Sequence, residues 1–259
     1  MLIDTHAHLD MKAFDADRDA VVDRSLKGGV HGIISVGIDR KSSVRAIELA
    51  GQYPCVKAGI GYHPHNAQGC TPADLAELAP LAEDPAVVAW GEIGLDFYRE
   101  YSNPEAQQPV FEEQLTMAHD LGLPVVIHDR EAHEAVYGAL KKMGKGDRKG
   151  VIHCFSGDLA LAQAFMDLGY YISIPGTVTY KTATITQQVA ASLPLDRLLV
   201  ETDAPFLTPV PNRGRRNEPL FVTYTAREVA RLRGLELAEV ARQTTQNAAY
   251  LFGLEEWSP

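Results

Sequence analysis

The feature that most restricts the fold of this chain is an alternation repeated along its length. Short apolar, β-branched runs are each followed by a longer segment with apolar residues at spacings of three and four. The runs are Leu2–His8, Gly32–Ile38, Val56–Gly61, Val87–Glu92, Pro124–His128, Gly150–His153, Tyr170–Ile174 and Leu198–Asp203. Between them lie helical segments such as Ala73–Ala82, Pro104–Leu121, Glu131–Met143 and Leu159–Leu168. Strand then helix, repeated in a chain of 259 residues, predicts an α/β protein of the closed (β/α)8 TIM barrel type. A doubly wound open sheet is the alternative. Thr71-Pro72 sets a capping hydroxyl before a proline at a first helical position, and Gly122, Gly144 and Gly169 follow helical segments. Two helical segments, Leu220–Arg233 and Leu237–Phe252, follow the last strand where the repeat needs one. The second is expected as an extra C-terminal helix, packed as a lid or terminal cap. No low-complexity linker interrupts the pattern, so residues 1–259 are expected to form a single domain.

With 46% hydrophobic residues the chain can bury a large core. It has no run of eighteen apolar residues, and it opens with Met1-Leu2-Ile3-Asp4 rather than a basic and then apolar leader. A soluble, unexported protein with no membrane association is expected. The 3 cysteines, Cys55, Cys70 and Cys154, form no C-x-x-C pair, which fits a reducing cytoplasm. The net charge of −10 argues against a broad basic face for nucleic acid. It does not exclude a nucleic-acid substrate, because bound cations reverse the potential inside an acidic cleft.

The polar residues gather where the strands finish. In a strand, residues i and i+2 share a face, so His6 and His8 project together while Ile3, Thr5 and Ala7 are expected to face the helices. A lone histidine is usually a satisfied side chain; two at this spacing, closing an apolar strand, point to metal. Glu92, His128, His153 and Asp203 likewise end the runs Val87–Glu92, Val125–His128, Val151–His153 and Leu199–Asp203. Barrel active sites assemble at the C-terminal ends of the strands, so these distant residues would converge on one mouth. A row of buried, unpaired imidazoles and carboxylates would cost several kcal/mol, and cation coordination is the simplest compensation. Four histidines with two carboxylates suit two ions sharing a bridging ligand. The segment Val87–Gly94 holds no lysine that could be carbamylated, so Glu92 is the expected bridge.

With these residues in place, the chain resembles the TatD family of metal-dependent deoxyribonucleases, within the wider amidohydrolase-like barrels. The resemblance runs from Ile3 to about Phe252. It rests on Ile3-Asp4-Thr5-His6-Ala7-His8-Leu9, Gly59-Ile60-Gly61-Tyr62-His63-Pro64-His65, Gly91-Glu92-Ile93-Gly94-Leu95-Asp96 and Ile127-His128. Further along it rests on His153-Cys154-Phe155-Ser156-Gly157, Glu201-Thr202-Asp203-Ala204-Pro205 and Arg213-Gly214-Arg215-Arg216-Asn217-Glu218-Pro219. The resemblance implies one metal held by His6, His8, Glu92 and Asp203 and a second held by Glu92, His128 and His153. It also implies hydrolysis, in some members 3′ to 5′ exonuclease action on single-stranded DNA or RNA, with a role in DNA repair or RNA turnover. Four imidazoles favour Zn²⁺ or Mn²⁺ by ligand softness, while nuclease activity in the family implies that Mg²⁺ also serves.

Other residues are assigned around that centre. Asp203 would orient a water and take its proton, acting with Glu92 as the catalytic pair, or serve as ligand only. Glu201 shares the face of Asp203 one layer deeper, where it would support a ligand. His63, by the resemblance, and His65 beside it are expected to bind substrate from the loop after the third strand. Arg130, Arg213, Arg215 and Arg216 would rim the same mouth and grip phosphate, pairing with Glu218 being the bland alternative for the last three. Lys141, Lys142, Lys145, Arg148 and Lys149 precede the sixth strand and read as a solvated turn at the opposite end. Cys154 is expected to pack away from the metals; Asp96 and Tyr98 have no assigned role; His31, His119 and His133 read as structural or exposed. Two rival readings share these residues: a barrel hydrolase of a small ester, amide or lactone, and a non-catalytic nucleic-acid-binding metalloprotein.

Overall fold

The structure is a computed structural model that describes residues 1–99 and 101–257. Its strands are β1 (Leu2–Ala7), β2 (Val30–Val36), β3 (Val56–Ile60), β4 (Val87–Asp96), β5 (Val125–Arg130), β6 (Gly150–Ile152), β7 (Tyr170–Ile174) and β8 (Leu198–Val200). They form one 8-stranded sheet in chain order, and each neighbouring pair from β1–β2 to β7–β8 is parallel. The ends of the sheet meet. Just past β8, Ala204 makes a parallel bridge to Ala7, and the Asp203 N–H donates to the His6 carbonyl at 2.9 Å. Sequential order with closure is the barrel topology and not the doubly wound one.

Around the sheet run α1 (Arg18–Lys27), α2 (Arg40–Gln52), α3 (Pro72–Ala76), α4 (Pro104–Asp120), α5 (His133–Lys142), α6 (Leu159–Asp167), α7 (Thr184–Ser192), α8 (Val222–Arg233) and α9 (Leu237–Phe252). Thr71 caps α3 through its hydroxyl, as its place before Pro72 predicts. Yet α3 stops at Ala76 and resumes as a 3₁₀ turn over Ala79–Glu83, because Pro80 lacks the N–H that a continuous helix would need. No helix among the described residues is long and apolar enough to cross a membrane.

Two apolar clusters divide the core. The larger lies between strands and helices and includes Trp90, Phe111 and Phe165. The smaller fills the barrel, with Ile3, Val36, Val88, Val126, Val151, Tyr171 and Leu199, one from each strand except β3. Helix α9 closes its floor, delivering Leu251 and Phe252 into this inner cluster, so the extra helix is a terminal cap and not a lid over the mouth.

Two strand expectations are corrected. Ile3 packs inside the barrel and Thr5 bonds Val200 O at 3.0 Å and approaches Ser173 Oγ at 3.4 Å, so neither faces the helices; only Ala7 does. The register shift between Asp4 and Ala7 exchanges the faces just before His6. Strand β8 ends at Val200 and not Asp203, because the chain there leaves β7 to close against β1.

Candidate metal centre

The shift in β1 is held by a buried carboxylate. Asp4 Oδ1 accepts from the Thr202 N–H at 2.9 Å and Oδ2 from the Thr202 hydroxyl at 2.5 Å, clamping the seam between β1 and the segment after β8. Beyond the clamp, His6 and His8 both point into the mouth, their Nε2 atoms 3.3 Å apart. His8 Nδ1 lies 2.8 Å from the Val36 carbonyl. A carbonyl only accepts, so Nδ1 carries the hydrogen and Nε2 presents its lone pair to the mouth.

Glu92 reaches the same point from β4 because two glycines let that strand crowd β5. A Cβ on Gly91 would lie 2.6 Å from Val126 Cβ, and one on Gly94, at φ +144°, would lie 2.0 Å from the His128 carbonyl oxygen. The carboxylate then sits among imidazoles with its two oxygens turned to different partners. Oε2 is 3.4 Å from His6 Nε2 and 3.6 Å from His8 Nε2. Oε1 is 2.8 Å from His128 Nδ1, 2.9 Å from His153 Nε2 and 3.3 Å from His63 Nε2. Asp203, at φ +57°, turns its Oδ1 to within 3.5 Å of His8 Nε2 and 3.9 Å of His6 Nε2. His6, His8, Glu92, His128, His153 and Asp203 therefore meet in one cluster, and His63 is buried in it, away from the open rim.

The layer behind is also polar. Glu201 Oε1 takes the Cys154 N–H at 2.6 Å and lies 3.4 Å from His153 Nδ1. His6 also lies within reach, since donor atoms of His6, His153 and Glu201 all fall within 4.8 Å of one another. Asp96, which has no role in the sequence reading, completes the other side: its Oδ2 is 3.2 Å from His128 Nε2 and 2.6 Å from His65 Nε2. It fixes His128 so that Nδ1 faces Glu92. Continuing the two-residue alternation from Glu92 through Gly94 would have found it.

The electrostatics are those of a site built around positive charge. Burial alone would push the Glu92 carboxyl up, but His63, His153 and His6 and the His128 hydrogen bond outweigh it and hold the group well below the usual carboxylate range. Burial drives His63 down to about 4. His8 rises to about 9, because Asp203 and Glu92 outweigh the burial that opposes its charge. Burial likewise drives His6 down, so charge in the metal-free cluster is unevenly divided among its imidazoles. The donor geometry fits cations: two ligands at about 2.0–2.1 Å on a tetrahedral ion lie about 3.4 Å apart. The His6–His8 nitrogens are 3.3 Å apart and the His128 Nδ1–His153 Nε2 pair 3.4 Å. One Glu92 oxygen faces each pair.

The arginines divide. Arg216 donates to Asp17 at 2.7 and 2.8 Å, and Glu218 is taken by Arg24, so Arg216 ties the loop after β8 to α1 and does not face the mouth freely. Its neighbour Asn217 is buried and donates to the carbonyls of Thr202 and Phe206, setting the turn that carries Asp203. Arg130 stacks 4.2 Å over the Tyr98 ring and Arg213 stacks 4.2 Å over Tyr180, while Arg215 is exposed. None of these three is in an ion pair among the described residues. At the far end Arg148 donates to the Leu251 carbonyl at 3.1 Å, so the basic run there anchors α9 and is more than a solvated turn. His31 and His119 are exposed, and His133 bonds Asp129 at 2.9 Å.

Residues 3–253 match the protein family described as TatD related DNase. A Bacillus subtilis relative, the uncharacterized metal-dependent hydrolase YabD, is 42% identical over 97% of this chain and 99% of its own. The 3′-5′ ssDNA/RNA exonuclease TatD of Erwinia tasmaniensis is 39% identical over 98% of this chain and 100% of its own. The crystal structure of the TatD homolog YJJV from Escherichia coli superposes with a TM-score of 0.92 at 35% identity, covering 98% of each chain.

Proposed function

Since this chain belongs to the TatD-related DNase family, we propose that it is a divalent-cation-dependent phosphodiesterase that trims single-stranded DNA or RNA from the 3′ end. The observation that carries this reading is the Glu92 carboxylate, ringed by imidazoles with each oxygen turned toward a separate histidine pair. In it, His6, His8, Glu92 and Asp203 would hold one cation and Glu92, His128 and His153 the other, with Zn²⁺, Mn²⁺ or Mg²⁺ as the candidates. Two such ions would supply a water of lowered pKa and would neutralise charge on the phosphate oxygens.

The chain's own residues do the rest. Asp203 is the most exposed carboxylate of the cluster, at 14% of its side chain, so it can orient the attacking water from the solvent side and accept its proton. Asp96 keeps His128 turned toward Glu92, and Glu201 supports His153 from beneath. Arg130, Arg213 and Arg215, which are in no ion pair among the described residues, are the groups available to grip phosphate. His65, whose Nε2 is held by Asp96, borders the same opening. The 3′ polarity is taken from the Erwinia tasmaniensis relative, a 3′-5′ ssDNA/RNA exonuclease. Unpaired cysteines scattered through the chain support a cytoplasmic location.

The rival, hydrolysis of a small ester, amide or lactone, would use the same ligands; arginines at the mouth with no ion pair among the described residues favour phosphate. End-labelled oligonucleotides incubated with Mg²⁺ or Mn²⁺ decide between them. Metal-stimulated shortening is expected, reduced roughly 10²- to 10⁴-fold by Asp203→Ala and at least as far by Glu92→Ala. Turnover of a small ester without any shortening would overturn the proposal, and full activity in both variants would remove the site from the chemistry.

A further inference from the structure

We propose that Phe206 on one side of the mouth, and Tyr98 with Tyr101 on the other, are stacking platforms for unpaired nucleobases flanking the scissile phosphate. This deepens the phosphodiesterase reading and rests on it. Among the described residues the aromatic rings with the greatest exposure are Phe97, Tyr98, Tyr101, Phe206 and Tyr250, and all but Tyr250 follow β4 or β8. In a closed barrel of eight strands in chain order, β4 and β8 stand on opposite sides, with the Glu92 cluster between them.

These rings are anchored and yet open. Phe206 is 49% exposed, its ring 6.2 Å from His8 and inclined 67° to it. Its backbone is held on both sides, the N–H by the Asp203 carbonyl at 2.8 Å and the carbonyl by buried Asn217. Tyr101 is 65% exposed with its ring 4.8 Å from His65, and its neighbour Ser102 donates to the His65 carbonyl at 2.9 Å. Tyr98 is 58% exposed, its N–H bonded to Asp96 and its ring beneath the Arg130 guanidinium. Every platform thus touches a residue of the Glu92 cluster or one bonded to it.

Large apolar rings left exposed around a polar cleft mark a binding surface. The ligand chemistry follows from the surroundings. With a net charge of −10 the chain has no long-range electrostatic grip on a polyanion. Base stacking needs none, and it is tolerant of sequence because every base has a π face. A base already stacked inside a duplex cannot use such a platform, so the arrangement selects single strands. A small ester would need no aromatic surface on both flanks.

The test is a cycle between ring and base. Cleavage of an oligonucleotide with Mn²⁺ is followed for the wild type, Phe206→Ala and the double variant Tyr98→Ala/Tyr101→Ala. Each is given a normal strand and strands in which a tetrahydrofuran abasic sugar replaces the nucleotide on one flank of the cleaved bond. Removing a ring should raise KM roughly 5- to 100-fold, the range of base–aromatic stacking. Removing the matching base should raise the wild-type KM as much, and removing both should cost no more than either alone. Phe206→Trp should restore the lost affinity, and Tyr250→Ala, far from the mouth, should change nothing. Unchanged KM in the alanine variants, or losses that simply add, would overturn stacking while leaving the phosphodiesterase reading intact. A wild type that hydrolyses a small ester and no oligonucleotide would sink both.

Discussion

The two ends of the barrel are built from the same strands and do opposite work. Val126, Val151 and Leu199 belong to the apolar inner cluster; two residues further on the same face stand His128, His153 and Glu201. One step of the pleat converts packing into chemistry. At the floor, α9 adds Leu251 and Phe252, and the Trp257 ring lies where a Gly32 Cβ would be, at 2.4 Å, so that strand and cap meet without a side chain between them. At the mouth, His6, His8, Glu92 and His153 are as deeply buried as the valines below them, while His128 and Asp203 are partly open. Burial stabilises at the floor; at the mouth it imposes a desolvation cost that a bound cation relieves. The difference teaches that the fold can carry an unfavourable site because its stability is generated elsewhere.

The largest test of this division is at the floor. Phe252→Ala should lower unfolding free energy by about 3–5 kcal/mol, the range for a buried phenylalanine, measured by urea denaturation. Its kcat below the unfolding transition should stay at the wild-type value. A kcat that fell in parallel would mean that the two ends are mechanically coupled and the division is false.

The mouth should respond to cations and not to packing. Mn²⁺ or Zn²⁺ at a hundred times its Kd should add about 2.7 kcal/mol of stability, and Glu92→Ala should abolish most of that gain. The pH dependence has a definite sign. His8, raised from 6.5 to about 9, and His128 and His153, also raised, give the metal-free protein stability that is present below pH 6.5 and lost as pH rises through their folded values. A cation needs those same nitrogens unprotonated. Stabilisation by metal should therefore grow as pH rises toward 9 while metal-free stability falls, and loading near neutral pH should release protons in an unbuffered titration. Metal stabilisation that weakened with rising pH, below the onset of metal hydroxide formation, would contradict histidine ligation.

Much of this division is legible in the sequence, and the part that is not has physical causes. His6 with His8, and His128, His153 and Glu92, stand out because a ligand-type residue ends an apolar run, and strand ends in a barrel converge. Ile3 and Thr5 are misread because a register shift reverses faces without leaving a mark in the residue pattern; the clamp that holds it, Asp4 to Thr202, spans 198 positions. Asp96 is missed because β4 runs four residues past the expected end at Glu92, on glycines that permit close approach to β5. The aromatic rim has no periodicity to betray it, since exposure on loops follows no repeat. Arg216 reads as a phosphate ligand because its true partner, Asp17, lies 199 positions away.

That last pair supplies the smallest effect and separates supporting from substrate-facing arginines. Hydrogen bonding by Arg216, more than by Arg24, holds the Asp17 carboxyl down at about 2, below its ordinary 3.8. A depressed acid contributes stability that is present above pH 3.8 and lost as pH falls through about 2. Asp17 is more than a third exposed, so solvent screens most of that contribution and Arg216→Ala should cost under about 2 °C of Tm from the ion pair at pH 7. Arg216 also lies 4.7 Å over the Phe14 ring, and loss of that contact should persist at every pH. The difference in Tm between wild type and Arg216→Ala should therefore narrow on acidification without closing, while KM for an oligonucleotide stays near the wild-type value. Arg213→Ala and Arg215→Ala should do the reverse, raising KM with Tm unchanged. A rise in KM for Arg216→Ala as large as for those two would return it to the substrate surface.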